Sequence, residues 1–311
     1  MNISVVLCTY NRAGIIGNAL DSILASVVPP DIDWEIIVVD NNSTDRTKEV
    51  VSKYSARCSG RVRYAFAAEQ GLSNARNVGI GDSCATVIAF TDDDITVEPD
   101  WLWNLASPLL RDDRLAGVGG RVCPPHDFAC PAWLALDGSR MDSSGVLAIF
   151  DQGSTTGELT KSPFGANMAY RRTAFLKHGG FRPDLGRSGA NLLSNEDTEF
   201  GERLMKAGER LLYEPSAVVH HPVSKERLSK DYFLEWWYAH GQATFRQHGA
   251  RASIYGIPRP YVSIAWRIFK WIFSFDAQTR FYWKTRVWAG AGEIAESHSG
   301  RASRGKEVPV N

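Results

Sequence analysis

Three consecutive carboxylates, Asp92-Asp93-Asp94, follow the apolar run VIAF and pose the sharpest chemical problem in the chain. Two like charges about 4 Å apart repel by on the order of 1 kcal/mol even in water, and the penalty grows at the end of a buried strand. A hard divalent cation, Mg²⁺ or Mn²⁺, held by one or two carboxylates and by substrate phosphates, relieves it. A solvated acidic turn or a capping cluster is the plain alternative. Asp40 ends a second apolar run, IIVV, where a carboxylate can accept from a base or ribose edge. It can equally close an Asx turn with Asn41-Asn42-Ser43. Arg76, in GLSNARNVGI, lies one turn into an expected helix and suits a phosphate or a base carbonyl, or is an ordinary surface arginine. Glu196-Asp197 opens another expected helix, either as dipole-stabilising acids or as a general base reaching into a cleft. His220-His221 closes the apolar AVV run, where an imidazole can complete a metal site, contact phosphate or serve a structural role.

These residues need a scaffold that brings strand ends together. Four short apolar runs, Ile3 to Cys8, Trp34 to Val39, Val62 to Ala67 and Thr86 to Phe90, alternate with helix-length segments. Runs apolar on both faces predict a mostly parallel sheet covered by helices, with ligands beyond the carboxyl ends of its strands. Helices are expected from Ser43 or Thr44 to Cys58, from Ser73 or Asn74 to Gly81, and from Pro99 to Leu110. Gly117 to Gly165 is rich in Gly, Pro and Ser and reads as loops with short strands. Residues 173–178 and 196–207 read as helices, and Leu211 to Val219 as a strand. Tyr232 to Phe245 and Tyr261 to Trp288 interleave tryptophans with Arg and Lys. The polar stretch after Ser297 reads as a disordered tail.

Composition narrows the class. The chain has 311 residues, 44% hydrophobic and 23% charged, enough apolar material for a sizeable core. Thirty-five basic residues balance thirty-five acidic ones, which argues against a nucleic-acid binder. Five cysteines without a CxxC pair suit free thiols in a reducing, cytoplasmic setting. The start, MNISVVLCTYN, shows no basic region ahead of an apolar stretch, so no signal peptide is expected. No apolar run reaches the roughly 18 residues of a spanning helix.

In order along the chain, SVVLCTYNR, IIVVDNNSTDRT, GLSNARNVGI, VIAFTDDD, PFGANMAYRR and SNEDTEFGERLMKAG resemble the family 2 glycosyltransferases, inverting enzymes of the GT-A nucleotide-sugar-binding fold. The resemblance runs from residue 1 to about 222. It implies a GT-A domain over 1–225, with a nucleotide half at 1–120 and an acceptor half at 121–225. An aromatic helical region at 226–296 and a tail at 297–311 follow. By the same resemblance Thr9, Tyr10 and Arg12 line the nucleotide pocket, Asp40 contacts the base, and Arg76 lies near base and diphosphate. Asp92 falls near the ribose, Asp93 beside it, and Asp94 on the metal. Gly165, Ala166 and Asn167 touch the transferred sugar. Asp197 is the base, with Glu196 beside it, and His220 or His221 meets the metal or diphosphate. The implied reaction moves one sugar from a nucleoside-diphosphate sugar, a UDP-sugar first, to a saccharide or lipid-linked acceptor.

Two departures and two competitors bear on this. The Q/R-x-x-R-W motif of processive members is absent after His221, which favours single additions, and Arg227 is a further candidate for a phosphate contact. TYNRAG lacks the Gly-rich basic loop of sugar nucleotidyltransferases. A non-catalytic nucleotide-sugar or glycan-binding protein is expected to have lost the aspartates, which are present here. The stretch YVSIAWRIFKWIFSF has the composition of a membrane-interface helix at the inner face of the cell membrane, or of a helix closing the core or a homodimer interface.

Overall fold

A computed structural model describes residues 1–136, 141–189, 191–249 and 259–299. Among the described residues nine strands form one sheet: β1 (Ile3–Thr9), β2 (Trp34–Asp40), β3 (Val62–Phe66), β4 (Val87–Asp92), β5 (Thr96–Val97), β6 (Leu115–Cys123), β7 (Gly157–Glu158), β8 (Met168–Arg171) and β9 (Arg210–His220). Their order is β3-β2-β1-β4-β8-β6-β9-β5, with β7 on β9. The first four strands are parallel, as the alternating runs predict. β8 then enters antiparallel between β4 and β6, so the whole sheet is mixed. The parallel register sets Thr9 opposite Asp40 and Cys8 opposite Asp92, which aligns three strand ends at one edge.

Helices cover both faces, and this explains why the strands do not alternate in polarity. Ile3, Val5, Leu7, Ile36 and Val38 face α1 (Ile16–Leu24), α2 (Thr47–Arg57) and α4 (Trp101–Arg111). Val6, Ile37, Val39, Ile88 and Phe90 face α3 (Leu72–Asp82), α5 (Arg172–His178) and α6 (Glu196–Lys206). Successive residues of one strand therefore serve two cores. The starts of α2 and α3 fall within a few residues of the expected caps, but neither has a side-chain cap bond.

The Gly-rich stretch contains a nine-residue central strand, β6, where mainly loops were expected. Its glycines allow close approach. A Cβ on Gly117 would lie 2.4 Å from the Tyr170 ring, one on Gly119 2.4 Å from Pro163, and one on Gly120 2.3 Å from the Ala217 carbonyl.

After β9 come α7 (Lys230–His248), α8 (Arg259–Ile272) and α9 (Ala277–His298). The aromatic run 261–288 is thus two helices and a turn. α9 extends past Ser297, and residues 300–311 of the expected tail lie outside the described residues. α9 packs between α7 and α8, and small residues make the seam. Cβ atoms on Gly241 and Gly292 would sit 1.9 Å from the Ala289 carbonyl oxygen and 2.0 Å from that of Tyr238. A cluster of Leu134, Leu147, Phe233, Trp237 and Phe281 ties this layer to the rest of the molecule.

Substituting Gly292 by Val must push α7 and α9 apart, an overpacking change expected to cost about 1–3 kcal/mol in urea unfolding. Gly81→Ala, where the added methyl meets nothing within 4 Å, is expected to be neutral or stabilising by up to about 1 kcal/mol. Equal effects of the two substitutions would refute the seam.

Candidate active site

The aligned strand ends open into a cleft of about 490 Å³. Its floor is built by the loops after β1, β2 and β4. Asn11 takes a positive φ of 53°, and its side-chain carbonyl accepts from the backbone N–H of Thr44 at 2.8 Å. The backbone N–H groups of Arg12 and Ala13 donate to Thr47 Oγ1 and Asp45 Oδ2. The β1 loop is thereby clipped to the β2 loop, and Thr9, Tyr10 and Arg12 line the cleft. Asp93 also lines it, with Arg12 Nε 3.8 Å away. Burial pushes the Asp93 carboxyl up to about 7.

Asp92, Asp94 and His221 form a group whose ligand atoms all lie within 4.8 Å of one another. His221 is buried, and its Nδ1 lies 2.9 Å from the Pro222 carbonyl oxygen. A carbonyl only accepts, so Nδ1 carries a proton. Nε2 lies 3.6 Å from Asp94 Oδ1. Two carboxylates and an imidazole nitrogen converging in this way fit a divalent cation, with the second ring nitrogen anchored as metal-binding histidines usually are. The doublet thus separates. His220, expected as a possible metal or diphosphate contact, is on the other side of the extended chain. It pairs with Glu98 at 2.8 Å beside His126, away from the Asp92–Asp94–His221 group.

Arg76 is buried, not a surface residue. Its Nη1 donates to Glu196 Oε1 at 2.8 Å and its Nη2 lies 3.8 Å from Asp92 Oδ1, so it links the two walls. Glu196 is buried too, and burial, with Asp197 next to it, raises its carboxyl to about 7 against the pull of Arg76. Gly165 has no room for a side chain, since a Cβ there would lie 2.1 Å from Arg76 Nη2. Its N–H donates to Asp197 Oδ2 at 2.7 Å, and the Thr198 N–H donates to Oδ1 at 2.6 Å. Asp197 is therefore held at the start of α6 with lone pairs still available in the cleft. Asn195, just before, takes a left-handed φ of 76° and is tied to Gln247 of α7.

Two further expected contact residues are engaged elsewhere in this structure. Asn167, expected to touch sugar with Gly165 and Ala166, is fully buried and does not line the cleft. It accepts from Trp101 Nε1 and donates to the carbonyls of Arg121 and Ala217, where the β6–β9 ladder slips register. Asp40, expected at the base, is buried and does not itself line the cleft. It accepts from the Ser43 N–H in an Asx turn and from the Tyr64 hydroxyl, and Asn41 reaches the cleft instead.

Sequence reasoning missed Asn41, Arg187, Trp236, Trp237 and His240, all of which line the cleft with Arg227. The WW doublet with a histidine three and four residues on was the available signal. Trp236 stacks on His240 at 4.9 Å and 10°. Burial and nearby Arg286 lower the His240 pKa to about 4, so this imidazole is neutral.

The glycosyl transferase family 2 model matches residues 4–179, more than half of the chain. The chain belongs to glycosyl transferase family 2. It is 28% identical over 259 residues to the succinoglycan biosynthesis protein ExoM of Rhizobium meliloti, covering 81% of this chain and 79% of that protein. It is 25% identical over 252 residues to the glucosyl-dolichyl phosphate glucuronosyltransferase of Haloferax volcanii, covering 76% and 75%. Among solved structures, the mannosyltransferase PcManGT of Pyrobaculum calidifontis, in complex with GDP-Man and Mn²⁺, superposes with a TM-score of 0.57 at 20% identity, over 96% of this chain and 76% of that one. GalNAc-T7 with UDP, GalNAc and Mn²⁺ superposes with a TM-score of 0.56 at 18% identity, over 81% of this chain and about half (52%) of that one. At these identities the superpositions establish the fold, which is GT-A. The protein is a glycosyltransferase.

Removing Arg76 leaves Glu196 and Asp92 without their cation. Arg76→Met is expected to cost about 3–5 kcal/mol in urea unfolding, as for broken buried pairs. Adding Glu196→Gln should restore part of that loss, and additive effects of the two changes would refute the pairing.

Proposed function

We propose that this glycosyltransferase moves one sugar from a nucleoside-diphosphate sugar, a UDP-sugar first, to a hydroxyl of a saccharide or lipid-linked acceptor, by a single cation-assisted inverting displacement. The observation that carries this is that Asp197 and the Asp92–Asp94–His221 group line one cleft, with Arg76 between them. The nucleotides and Mn²⁺ bound in the two solved structures support the donor class and the cation. The dolichyl phosphate in one relative's name supports a lipid-linked acceptor. Among the described residues no helix is long and apolar enough to cross a membrane. On this reading, contact with the inner face of the membrane is peripheral.

In this mechanism Thr9, Tyr10 and Arg12 hold the nucleotide over the β1 edge. Asp94, Asp92 and His221 would hold the divalent cation, which supplies positive charge to the leaving diphosphate. Arg76, Arg187 and Arg227 add side-chain charge on the same cleft. The acceptor enters beside Asp197, across from the donor, with Trp236 and Trp237 offering aromatic faces to a sugar ring. Asp197 takes the hydroxyl proton as the acceptor oxygen bonds to the anomeric carbon and the bond from that carbon to the phosphate oxygen breaks. One displacement inverts the anomeric centre, so an α-linked donor gives a β-linked product.

UDP, GDP, dTDP and CDP, each with and without Mn²⁺, are to be compared by thermal shift. A nucleotide at 100 times its dissociation constant stabilises by about 2.7 kcal/mol. One nucleotide is expected to stabilise only with Mn²⁺, and Asp94→Ala is expected to abolish that shift. Stabilisation that ignores Mn²⁺ would rule out the cation site. Asp197→Asn is expected to keep the shift and lower transfer by roughly 10²–10⁴-fold. Full turnover by that variant would remove Asp197 as the base.

A further inference from the structure

Among the described residues, eight of the fifteen exposed large hydrophobic side chains fall between 261 and 275. They occupy the outer face of α8 and the turn that follows it. The Trp266 and Phe269 rings stack at 5.6 Å, Phe269 and Phe273 lie 4.6 Å apart, and Phe275 is 100% exposed. The inner face of α8 is already partnered. Ile264 sits against Gly290 of α9, Arg267 donates to the Arg286 carbonyl, and Trp271 meets Trp288. Among the described residues the outer face has no such cover, except that the Tyr261 hydroxyl meets His298 of α9.

We propose that this outer face of α8 seats the enzyme in the interface of an anionic bilayer, with the helix lying in the membrane plane. Three observations select this occupant. The first is charge. Of the seven basic residues between Arg251 and Trp288, Arg267 faces inward against Glu293 and Arg286 lies over Trp237. Among the described side chains Lys270, Arg280 and Lys284 remain, beside a single acid, Asp276, in a chain whose net charge is zero. That local excess complements anionic headgroups. The second is composition. Lys270 holds its ammonium 4.8 Å above the Trp266 ring, an apolar stem with a charged tip of the kind that snorkels at a water–lipid boundary. The third is length. At 1.5 Å per residue, the 14 residues of α8 span about 21 Å, short of the roughly 30 Å hydrocarbon core, so the helix can lie in a bilayer but not cross it.

The face is also coupled to the site. α9 packs against both α8 and α7, through Gly290 on one side and through Gly241 and Gly292 on the other. α7 carries Trp236, Trp237 and His240 into the cleft. One closely packed helical layer thus joins the membrane face to the acceptor wall. The purpose of docking rests on the lipid-linked acceptor proposed above; its test involves no sugar transfer.

The full chain is to be sedimented with vesicles of phosphatidylcholine alone and of phosphatidylcholine mixed with phosphatidylglycerol. Binding to the anionic vesicles is expected to exceed that to neutral ones by about tenfold or more and to weaken with added salt. The triple variant Trp266→Glu, Phe269→Glu, Phe273→Glu should stay in the supernatant, while its nucleotide and Mn²⁺ thermal shift matches the parent's. Lys270→Glu with Arg280→Glu should remove the anionic preference. A parent that ignores both vesicle types, or a triple variant that sediments like the parent, overturns the proposal. So does a parent dimer in light scattering that binds no vesicle and dissociates in the triple variant, since the face would then belong to a second copy. A negative nucleotide panel with intact vesicle binding would instead count against the donor reading alone.

Discussion

Arg76 and its two carboxylates set the shape of the cleft. The guanidinium comes from α3 and reaches Glu196, 120 residues later in the chain, and Asp92 at the end of β4. A buried cation costs several kcal/mol in desolvation unless it is paired, and the same holds for Glu196. Each is tolerated only because the other is present, so the β4 edge and the start of α6 must close on one another. Gly165 follows from this, because any side chain there would collide with the guanidinium. Its N–H in turn orients Asp197. One ion pair thus fixes the distance between the carboxylate–histidine group and the candidate base.

Close backbone approach is the second organising device. Gly117, Gly119 and Gly120 let Tyr170, Pro163 and Asn167 press onto β6, and Gly241 and Gly292 let α7 and α9 meet backbone to backbone. Asn167 completes the first of these. It supplies donors to two carbonyls that the slipped β6–β9 ladder leaves unmatched, deep in the sheet where unpaired carbonyls are costly. The second device makes the carboxyl-terminal helices part of the cleft. Through α7 they bring two tryptophans and a neutral histidine to the cleft wall.

Much of this was legible in the residues. β1, β2 and β4 were apparent because strands buried on both faces leave uninterrupted β-branched runs, and the chemistry-bearing residues sit where those runs stop. The acidic triplet and the leading Thr9-Tyr10-Asn11-Arg12 segment fall at one sheet edge for that reason, and the Glu196-Asp197 pair joins them from the start of α6. β6 was not legible, because glycine is read locally as a sign of turns, whereas here it answers to neighbours distant in sequence. The partners of Asn167 were hidden for a related reason. Its place in PFGANMAYRR matches a sugar-contacting loop, yet its partners are a tryptophan and two carbonyls supplied by α4, β6 and β9.

What the sequence determined by itself was the parallel half of the sheet, the family, and the types of group the site would contain, since strand periodicity and strand-end chemistry are local properties. The tertiary structure alone decided which groups meet. Only the geometry of the β9 exit sends His221 to Asp94 and His220 to Glu98. Only the closure of α6 onto α3 makes Arg76 a buried bridge. Only the glycine seams place α7 in the cleft wall and, among the described residues, leave the outer face of α8 exposed. Each of these depends on atoms brought within a few ångströms across scores of residues, a distance no local pattern encodes.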